Sequence, residues 1–335
     1  MSSLPILDIS PFLNDPTSNA AGEFSQQLRD HCHQPGFVHL VGHGVDPDLD
    51  RNLLSTGEQF FALPEADRRA LAIENSAAFR GYTILGDEQT GGTSDWRDQL
   101  DYGPEQEAPE PGHSGPAWLR LRGPNQWPTA LPAMSKIALA WMEAMVPVGV
   151  GVLRALAVSL GQPIHRFDSG FMPSHDVHVK VIRYPTRPAP DADQGVGLHH
   201  DSGLLTFILQ NAVAGLQVMI DGELVTVEPM DGAYVVNLGA MMQTATSGYL
   251  RATPHRVVSP ASGPDRLSVA LFFNPTFESS FEPIPLPAEL AAKSAPDQSD
   301  LNGDTIRTLF GENNLKVRLR SHPDVAARHY ADVAP

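Results

Sequence analysis

The sequence has a single cysteine, Cys32, among its 335 residues. A disulfide within the chain and a metal site built only from thiolates are therefore excluded. The N-terminus also lacks the charged segment and following apolar stretch that are typical of a secretory signal peptide. We therefore expect the protein to work in a reducing compartment, and the cytoplasm is the simplest assignment.

Basic residues are scarce as well. Lys and Arg number 23 against 39 Asp and Glu, which gives a formal net charge of −16. A surface this acidic repels phosphate backbones, and no basic run offers a local exception. The sequence also lacks an uninterrupted run of about 18 apolar residues, the length of a membrane helix. We expect neither a nucleic acid nor a membrane as partner, and a small anionic substrate would need its own cation inside a pocket.

The N-terminal region, residues 4–128, reads as a mixture of helices, strands and loops. Alternating apolar positions predict a strand over residues 5–13, and FVHLVGHGV predicts another over 37–45. Apolar positions at helical spacing predict a helix over residues 19–33. Further helices are predicted over 47–62 and over 64–74, where Pro64 suits the first helical position. Residues 76–128 are rich in Gly, Pro and charge, which indicates loops with short strands over a pocket.

The second half of the sequence changes character. Residues 130–160 are apolar on nearly every side, so they predict a supporting helix, or a pair of helices that Pro147 kinks or divides. Between residues 171 and 280, short β-rich runs such as VHVKVIRYP, LLTFILQ and RLSVALFFNP alternate with turn residues. We predict a mainly β fold with flanking α-helices and a double-stranded β-helix (jelly-roll) core. The chain is interpreted as one domain, residues 1–335, with a partly helical C-terminal extension over 281–335.

His199 and Asp201 stand two residues apart in GVGLHHDSGLLTFILQ, at the start of a predicted strand. Side chains at i and i+2 share one face of a strand, so these two converge while His200 faces the other way, in a structural or surface role. His255, in TPHRVVSP, begins a later strand that a barrel would bring beside them. Two imidazoles and one carboxylate can bind a divalent metal on one face and leave three positions open.

A His-x-Asp pair is common by chance, and Asp176 with His178 forms a similar alternating pair. The following buried strand, the downstream histidine and a suitable arginine favour the first pair. That arginine is Arg266, which shares one face of a predicted strand with Ser268. A guanidinium inside a barrel needs an anion, and a dicarboxylate that chelates the metal at one end would supply it at the other.

Taken together, the motifs resemble the isopenicillin N synthase-like branch of the iron(II)/2-oxoglutarate oxygenases. HHD, HRVVSP and RLS match the family's iron and co-substrate motifs in order. PILDISPFL, GFVHLVGHGV and IRYP resemble its strands, and RGYTILGDE and DWRDQLDYG resemble its lip over the substrate. The likeness covers roughly residues 4–330, and the ordered set is far more specific than any single motif.

The resemblance implies roles for particular residues. His199, Asp201 and His255 would ligate iron(II), while Arg266 and Ser268 would hold the distal carboxylate of 2-oxoglutarate. Tyr184 would add a hydrogen bond to the co-substrate. The sequence departs from the family pattern two residues before Tyr184, where Ile182 replaces an asparagine.

The same resemblance implies a dioxygenase that uses dioxygen, iron(II) and 2-oxoglutarate to oxidise a small organic molecule by hydroxylation, desaturation or cyclisation, releasing succinate and carbon dioxide. Two alternatives stay open: an iron oxidase of the same fold that needs no 2-oxoglutarate, and a non-catalytic barrel that binds a metal or ligand. The motifs do not determine the substrate. They also leave open the roles of four lip residues, Arg80, Tyr82, Trp96 and Arg97.

Overall fold

The computed structural model describes residues 3–110, 112, 114–172, 174–189, 192–295 and 307–333. The strands are β1 (Ile6–Asp8), β2 (Phe37–Val41), β3 (Gly81–Thr83), β4 (Gln89–Thr90), β5 (Thr93–Ser94), β6 (Asp98–Tyr102), β7 (His178–Tyr184), β8 (Gln194–His199), β9 (Leu205–Gln210), β10 (Leu216–Ile220), β11 (Glu223–Thr226), β12 (Tyr234–Leu238), β13 (His255–Val258) and β14 (Arg266–Phe273). The helices are α1 (Ser10–Asn14), α2 (Asn19–His33), α3 (Pro47–Phe61), α4 (Glu65–Arg69), α5 (Met134–Ser159), α6 (Ala240–Ala245), α7 (Ala288–Ala291), α8 (Phe310–Ser321) and α9 (Pro323–His329), with short 3₁₀ turns at Ile73–Asn75, Ala117–Leu121 and Asp168–Gly170.

Two sheets form the centre of the fold. The larger has eight strands in the order β1-β2-β12-β9-β14-β7-β6-β3, and the smaller has four in the order β11-β10-β13-β8. Strands from the first and second halves of the chain share the larger sheet, since β2 pairs with β12 and β6 pairs with β7. The predicted jelly-roll core is confirmed as a pair of sheets without a closed barrel.

The larger sheet has two different faces because side chains alternate along each strand. On one face, residues such as Val181, Val269 and Phe207 join the core that the helices cover. On the other face, Ile182 and Ile208 pack against Val218 and Val257 of the smaller sheet. The space between the sheets is therefore lined by the inner faces of both, and the site described below lies there.

The long apolar segment forms one helix, α5, that begins at Met134 and runs through Pro147 without dividing. Burial on both sides of the proline, at Met145 and Val148, offsets the backbone hydrogen bond that proline removes. Although charged residues interrupt its apolar sequence, α5 contains a window that is long and apolar enough, by length and composition alone, to cross a membrane. A core helix passes the same test, and 56% of this window is buried inside the fold.

Several predicted boundaries were wrong. The strand expected over residues 5–13 ends at Asp8, where the Asp8 side chain accepts a hydrogen bond from the N–H of Ser10 and α1 begins. The helix expected over 64–74 ends at Arg69. The short strands expected within 76–128 are present, but one of them, β6, is a buried strand of the larger sheet, which its charged sequence DQLDY did not indicate. Residues 296–306 and 334–335 of the predicted partly helical extension lie outside the described residues, and α7, α8 and α9 confirm helix in the rest.

Candidate metal centre

His199 and His255 lie side by side on neighbouring strands of the smaller sheet. His199 ends β8, His255 begins β13, and the two residues are direct partners in the antiparallel register. Their ring centroids lie 4.3 Å apart. Among the described residues, His199, Asp201 and His255 form the one group of at least three potential ligands whose ligand atoms all lie within 4.8 Å of one another.

Each imidazole is oriented by the backbone carbonyl two residues before it in the chain. Nδ1 of His199 lies 2.8 Å from the carbonyl oxygen of Gly197, and Nδ1 of His255 lies 3.1 Å from that of Thr253. A carbonyl only accepts, so each Nδ1 carries the proton and each Nε2 keeps a free lone pair. Both Nε2 atoms lie 3.8 Å from Oδ1 of Asp201. The two imidazoles therefore present their metal-binding nitrogens to the same carboxylate oxygen.

Asp201 does not lie on the predicted strand. β8 ends at His199 and β9 begins at Leu205, so Asp201 lies in the connecting turn. Its Oδ2 accepts hydrogen bonds from the Thr206 hydroxyl at 2.6 Å and from the Asn237 amide at 2.8 Å. These two bonds occupy one carboxylate oxygen and direct the other toward the histidines. Convergence of the pair thus comes from side chains on β9 and β12, and not from strand alternation.

The turn that carries Asp201 is packed tightly against the start of α6. A Cβ atom added at Gly239 would lie 2.3 Å from the backbone oxygen of Gly203. The N–H of Ala240 donates to the carbonyl of Asp201 at 2.7 Å. This close approach of two backbones needs glycine and holds the aspartate in place.

The surroundings of His199 and Asp201 shift the pKa of each side chain. Burial, followed by the neighbouring His255, lowers the pKa of His199 to about 3, so its imidazole is neutral at pH 7. Burial raises the pKa of Asp201, but the nearby His255 and His199 and the hydrogen bonds outweigh it and hold that pKa below its usual value. Neutral imidazoles and an ionised carboxylate are the forms that bind a metal.

Arg266 and Ser268 lie on the inner face of β14, as predicted. The Arg266 side chain is buried, and its guanidinium donates to the Ser268 hydroxyl at 3.2 Å and to Oε1 of Gln210 at 2.9 Å. Its Nε atom has no partner, and within the described part of the chain the guanidinium forms no ion pair. A buried cation held only by neutral groups calls for an anion.

Tyr184 lies directly opposite Arg266 in the pairing of β7 with β14. The guanidinium carbon of Arg266 stands 4.9 Å from the centroid of the Tyr184 ring. Ile182 lies opposite Ser268 and joins the apolar residues between the sheets. The position where the family has an asparagine therefore offers an apolar surface in this chain.

The lip residues have different partners. The Tyr82 hydroxyl donates to Asp98, and Trp96 donates from Nε1 to the carbonyl of Thr186 at 3.1 Å, so each side chain is bound to a neighbouring segment of the chain. Arg97 forms ion pairs with Glu88 and Asp95. Arg80 is buried in the fold rather than exposed on a lip.

The competing pair, Asp176 and His178, forms no metal group with other residues that the structure describes. Asp176 pairs with Arg122, whereas His178 lies on β7 and contacts Asp101 at 2.6 Å. His200 stays outside the group of three ligands, as expected, and lines a separate surface pocket with Met219 and other residues.

Three residues that support the site were not identified from the sequence: Thr206, Asn237 and Gln210. Thr206 and Gln210 are the polar residues of LTFILQ, and Asn237 lies in YVVNL; the other residues of the two strands are apolar or aromatic. That pattern is the signal that would have found them, because a polar side chain buried between sheets needs a partner.

Comparison with known families agrees with this geometry. Residues 4–130 match the model described as non-haem dioxygenase in morphine synthesis N-terminal, and residues 176–275 match the 2OG-Fe(II) oxygenase superfamily. The 2-oxoglutarate-dependent dioxygenase frbJ of Dothideomycetidae sp. (strain 11243) is 33% identical over 97% of this chain and 91% of its own length. The 2-oxoglutarate-dependent dioxygenase citB of Monascus ruber is 32% identical over 84% of this chain and 87% of its own length.

Solved structures show the same fold. A full-length Neurospora crassa protein, solved in complex with alpha-KG, matches with a TM-score of 0.74 at 23% identity and covers 94% of this chain and 95% of its own. A putative 2OG-Fe(II) oxygenase family protein from Caulobacter crescentus matches with a TM-score of 0.75 at 25% identity, covering 96% of this chain and 99% of its own. With the triad between its sheets and these relatives over nearly its whole length, the chain belongs to the 2OG-Fe(II) oxygenase superfamily and is an iron(II)- and 2-oxoglutarate-dependent dioxygenase.

Proposed function

We propose that His199, Asp201 and His255 are the iron ligands of this dioxygenase. The proposal rests on the convergence of their ligand atoms: the Nε2 atoms of His199 and His255 both lie 3.8 Å from Oδ1 of Asp201. Both Nδ1 protons are held by backbone carbonyls, which leaves Nε2 as the donor on each ring. Two neutral imidazoles and one carboxylate suit non-haem iron(II) and leave open positions for a co-substrate and dioxygen.

Arg266 and Ser268 are the residues proposed to bind the distal carboxylate of 2-oxoglutarate, beside the ring of Tyr184. The support is a buried guanidinium whose described hydrogen bonds go only to neutral groups. A carboxylate there would form a charge-assisted pair and remove an uncompensated buried charge. When bound, iron(II) and 2-oxoglutarate supply dioxygen activation coupled to decarboxylation of the co-substrate to succinate and carbon dioxide.

The chain's own contribution is to position these groups and to exclude water. Thr206 and Asn237 hold the Asp201 carboxylate in one orientation. Ile182, Ile208 and Val257 belong to the apolar layer between the sheets, which keeps the region around the centre dry. The substrate is proposed to be a small organic molecule that undergoes hydroxylation, desaturation or cyclisation, with neither a nucleic acid nor a membrane as partner.

An anaerobic titration tests the assignment. Iron(II) and 2-oxoglutarate added to the protein should produce a charge-transfer absorption band, and succinate should form once air is admitted. Asp201→Ala should lose iron affinity by more than about 100-fold, since removing a ligand exceeds the 10- to 100-fold effect of removing its support.

Asp231→Ala makes the same change at an exposed position and serves as the matched control. The control should retain both the band and succinate release. Unaltered iron binding in Asp201→Ala, or oxygen consumption without succinate in the parent protein, would contradict the assignment.

A further inference from the structure

A group of charged side chains lies on the inner face of the larger sheet, at the level of the metal centre. In the sheet register Phe272 of β14 pairs with Thr206 on one side and with His178 on the other. Thr206 supports Asp201, so His178 stands at the same level, two strands away. Two strand spacings amount to about 10 Å. Lys180 and Asp101 pair with each other in the next row.

These side chains form one connected network through contacts of 4.0 Å or less. Lys180 lies 3.2 Å from Glu88 and 3.8 Å from Asp101. Arg318 reaches Asp101 from α8 at 3.3 Å. Glu88 in turn pairs with Arg97. Helix α8 and the strands β6 and β7 thus meet in a polar region beside the proposed iron site.

The network holds an excess of one positive charge. Burial lowers the pKa of His322 to about 4, and it also lowers the pKa of His178, so both histidines are neutral at pH 7. Four members are cations, namely Arg80, Arg97, Lys180 and Arg318, and three are carboxylates, namely Glu88, Asp95 and Asp101. The net charge of the network is therefore 4 − 3 = +1. In a chain of net charge −16 this is a local reversal of sign.

The excess positive charge of the network lies on Arg80. Its side chain is 3% exposed, and its Nη1 donates to Nδ1 of His178 at 2.7 Å. Arginine cannot accept, so His178 carries its proton on Nε2 and donates it to Asp101. The Nε atom of Arg80 has no partner within the described residues, where the guanidinium also makes no ion pair.

Two further carboxylates influence Arg80 from a distance, but each has other partners. Asp176 is held by Arg122 through both of its oxygens. Glu105 accepts from Trp127 at 2.7 Å and from the backbone of Asn125 at 3.1 Å. Neither of them neutralises the Arg80 guanidinium by direct contact, so a buried cation remains beside the iron site.

We propose that this network, formed around Arg80, Lys180 and Arg318, binds a carboxylate group of the substrate. The inference rests on the proposed iron site and specifies the class of molecule that the site accepts. A single excess charge matches a monoanionic carboxylate better than a dianionic phosphate ester. Because Phe272 lies between the network and Thr206, the body of the substrate packs on an aromatic ring, and the oxidised carbon lies several bonds from the carboxylate.

The test is a panel of small carboxylic acids, each accompanied by its primary amide, such as 3-phenylpropanoate and 3-phenylpropanamide. Succinate release above the substrate-free rate is measured for each compound with the full-length iron-loaded protein. We expect stimulation by members of the acid series and none by the matched amides. Lys180→Met and Arg318→Met should each raise the KM for a stimulating acid at least about tenfold, the effect of losing a charge-assisted hydrogen bond.

Lys136→Met removes the same charge from an exposed position on α5 and should leave the KM unchanged. The anaerobic iron and 2-oxoglutarate band and the melting temperature show whether each variant is folded and loaded. The inference would be overturned if the amides stimulated succinate release as much as the acids, or if no acid stimulated it. An unchanged KM in both Lys180→Met and Arg318→Met would also overturn it. Loss of the band in the parent protein would instead reject the iron-site assignment, so the two failures are distinguishable.

Discussion

Replacing Thr206 by valine tests how much the support of Asp201 contributes to metal binding. The change keeps the shape of a side chain that is 3% exposed and removes only the hydroxyl that donates to Oδ2 of Asp201 at 2.6 Å. A hydrogen bond to a charged group contributes about 1.5–3 kcal/mol. Asn237 still holds the same oxygen at 2.8 Å, so the carboxylate is loosened and not released. We expect iron(II) affinity to fall about 10- to 100-fold, in line with the effect of other residues that orient metal ligands.

The assay is an anaerobic iron(II) titration at saturating 2-oxoglutarate, followed by the charge-transfer band. Thr83→Val provides the matched control, since Thr83 is also buried and its hydroxyl has no hydrogen-bond partner within the described residues. The control should bind iron as the parent protein does. An iron affinity in Thr206→Val within twofold of the parent value would refute the reasoning, because the hydroxyl would then contribute nothing to the orientation of Asp201.

Three further predictions follow from other parts of the site. Arg266→Met should raise the KM for 2-oxoglutarate about 10- to 100-fold in succinate-release assays and leave metal affinity, measured by calorimetry without co-substrate, unchanged. Burial lowers the pKa of His322 from 6.5 to about 4, so between these pH values the imidazole is protonated in the unfolded chain and neutral in the folded protein. The free energy of unfolding therefore decreases as the pH falls from 6.5 toward 4. Urea unfolding at pH 7 and pH 5 should therefore show a smaller loss in His322→Asn than in the parent protein. Gly239→Ala should weaken iron binding and lower the melting temperature, because its Cβ would meet the Gly203 backbone, whereas Gly22→Ala, in open space on α2, should preserve both.

The parts of the fold that sequence could predict are those that local patterns determine. Alternation on β14 predicted that Arg266 and Ser268 share one face, and the structure places them there, with a hydrogen bond between them. His255 was expected to reach His199 from another strand, and it does so as its direct partner in the register. Both predictions depend only on the two-residue period of a strand and on pairing between neighbours.

The parts that could not be predicted depend on contacts between distant segments. Asp201 lies in a turn whose path is set by Gly239, which is far along the chain, and no local pattern contains that contact. Segment 98–102 reads as charged and irregular, yet it is a buried strand because Lys180 and Arg183 from β7 pair with its aspartates. Because tertiary ion pairs of this kind compensate buried charges, a segment with a charged sequence can form a buried strand.

The direct pairing of His199 with His255 has a consequence for the edge of the smaller sheet. β8 is the terminal strand of that sheet, and β13 is its neighbour within it. A metal ion held by both histidines would act as a crosslink between them, so occupancy of the site and opening of the edge strand are thermodynamically linked. At a free metal concentration one hundred times the dissociation constant, this linkage stabilises the closed state by about 2.7 kcal/mol. Amide hydrogen exchange along β8 should therefore slow when iron is added and quicken when it is chelated.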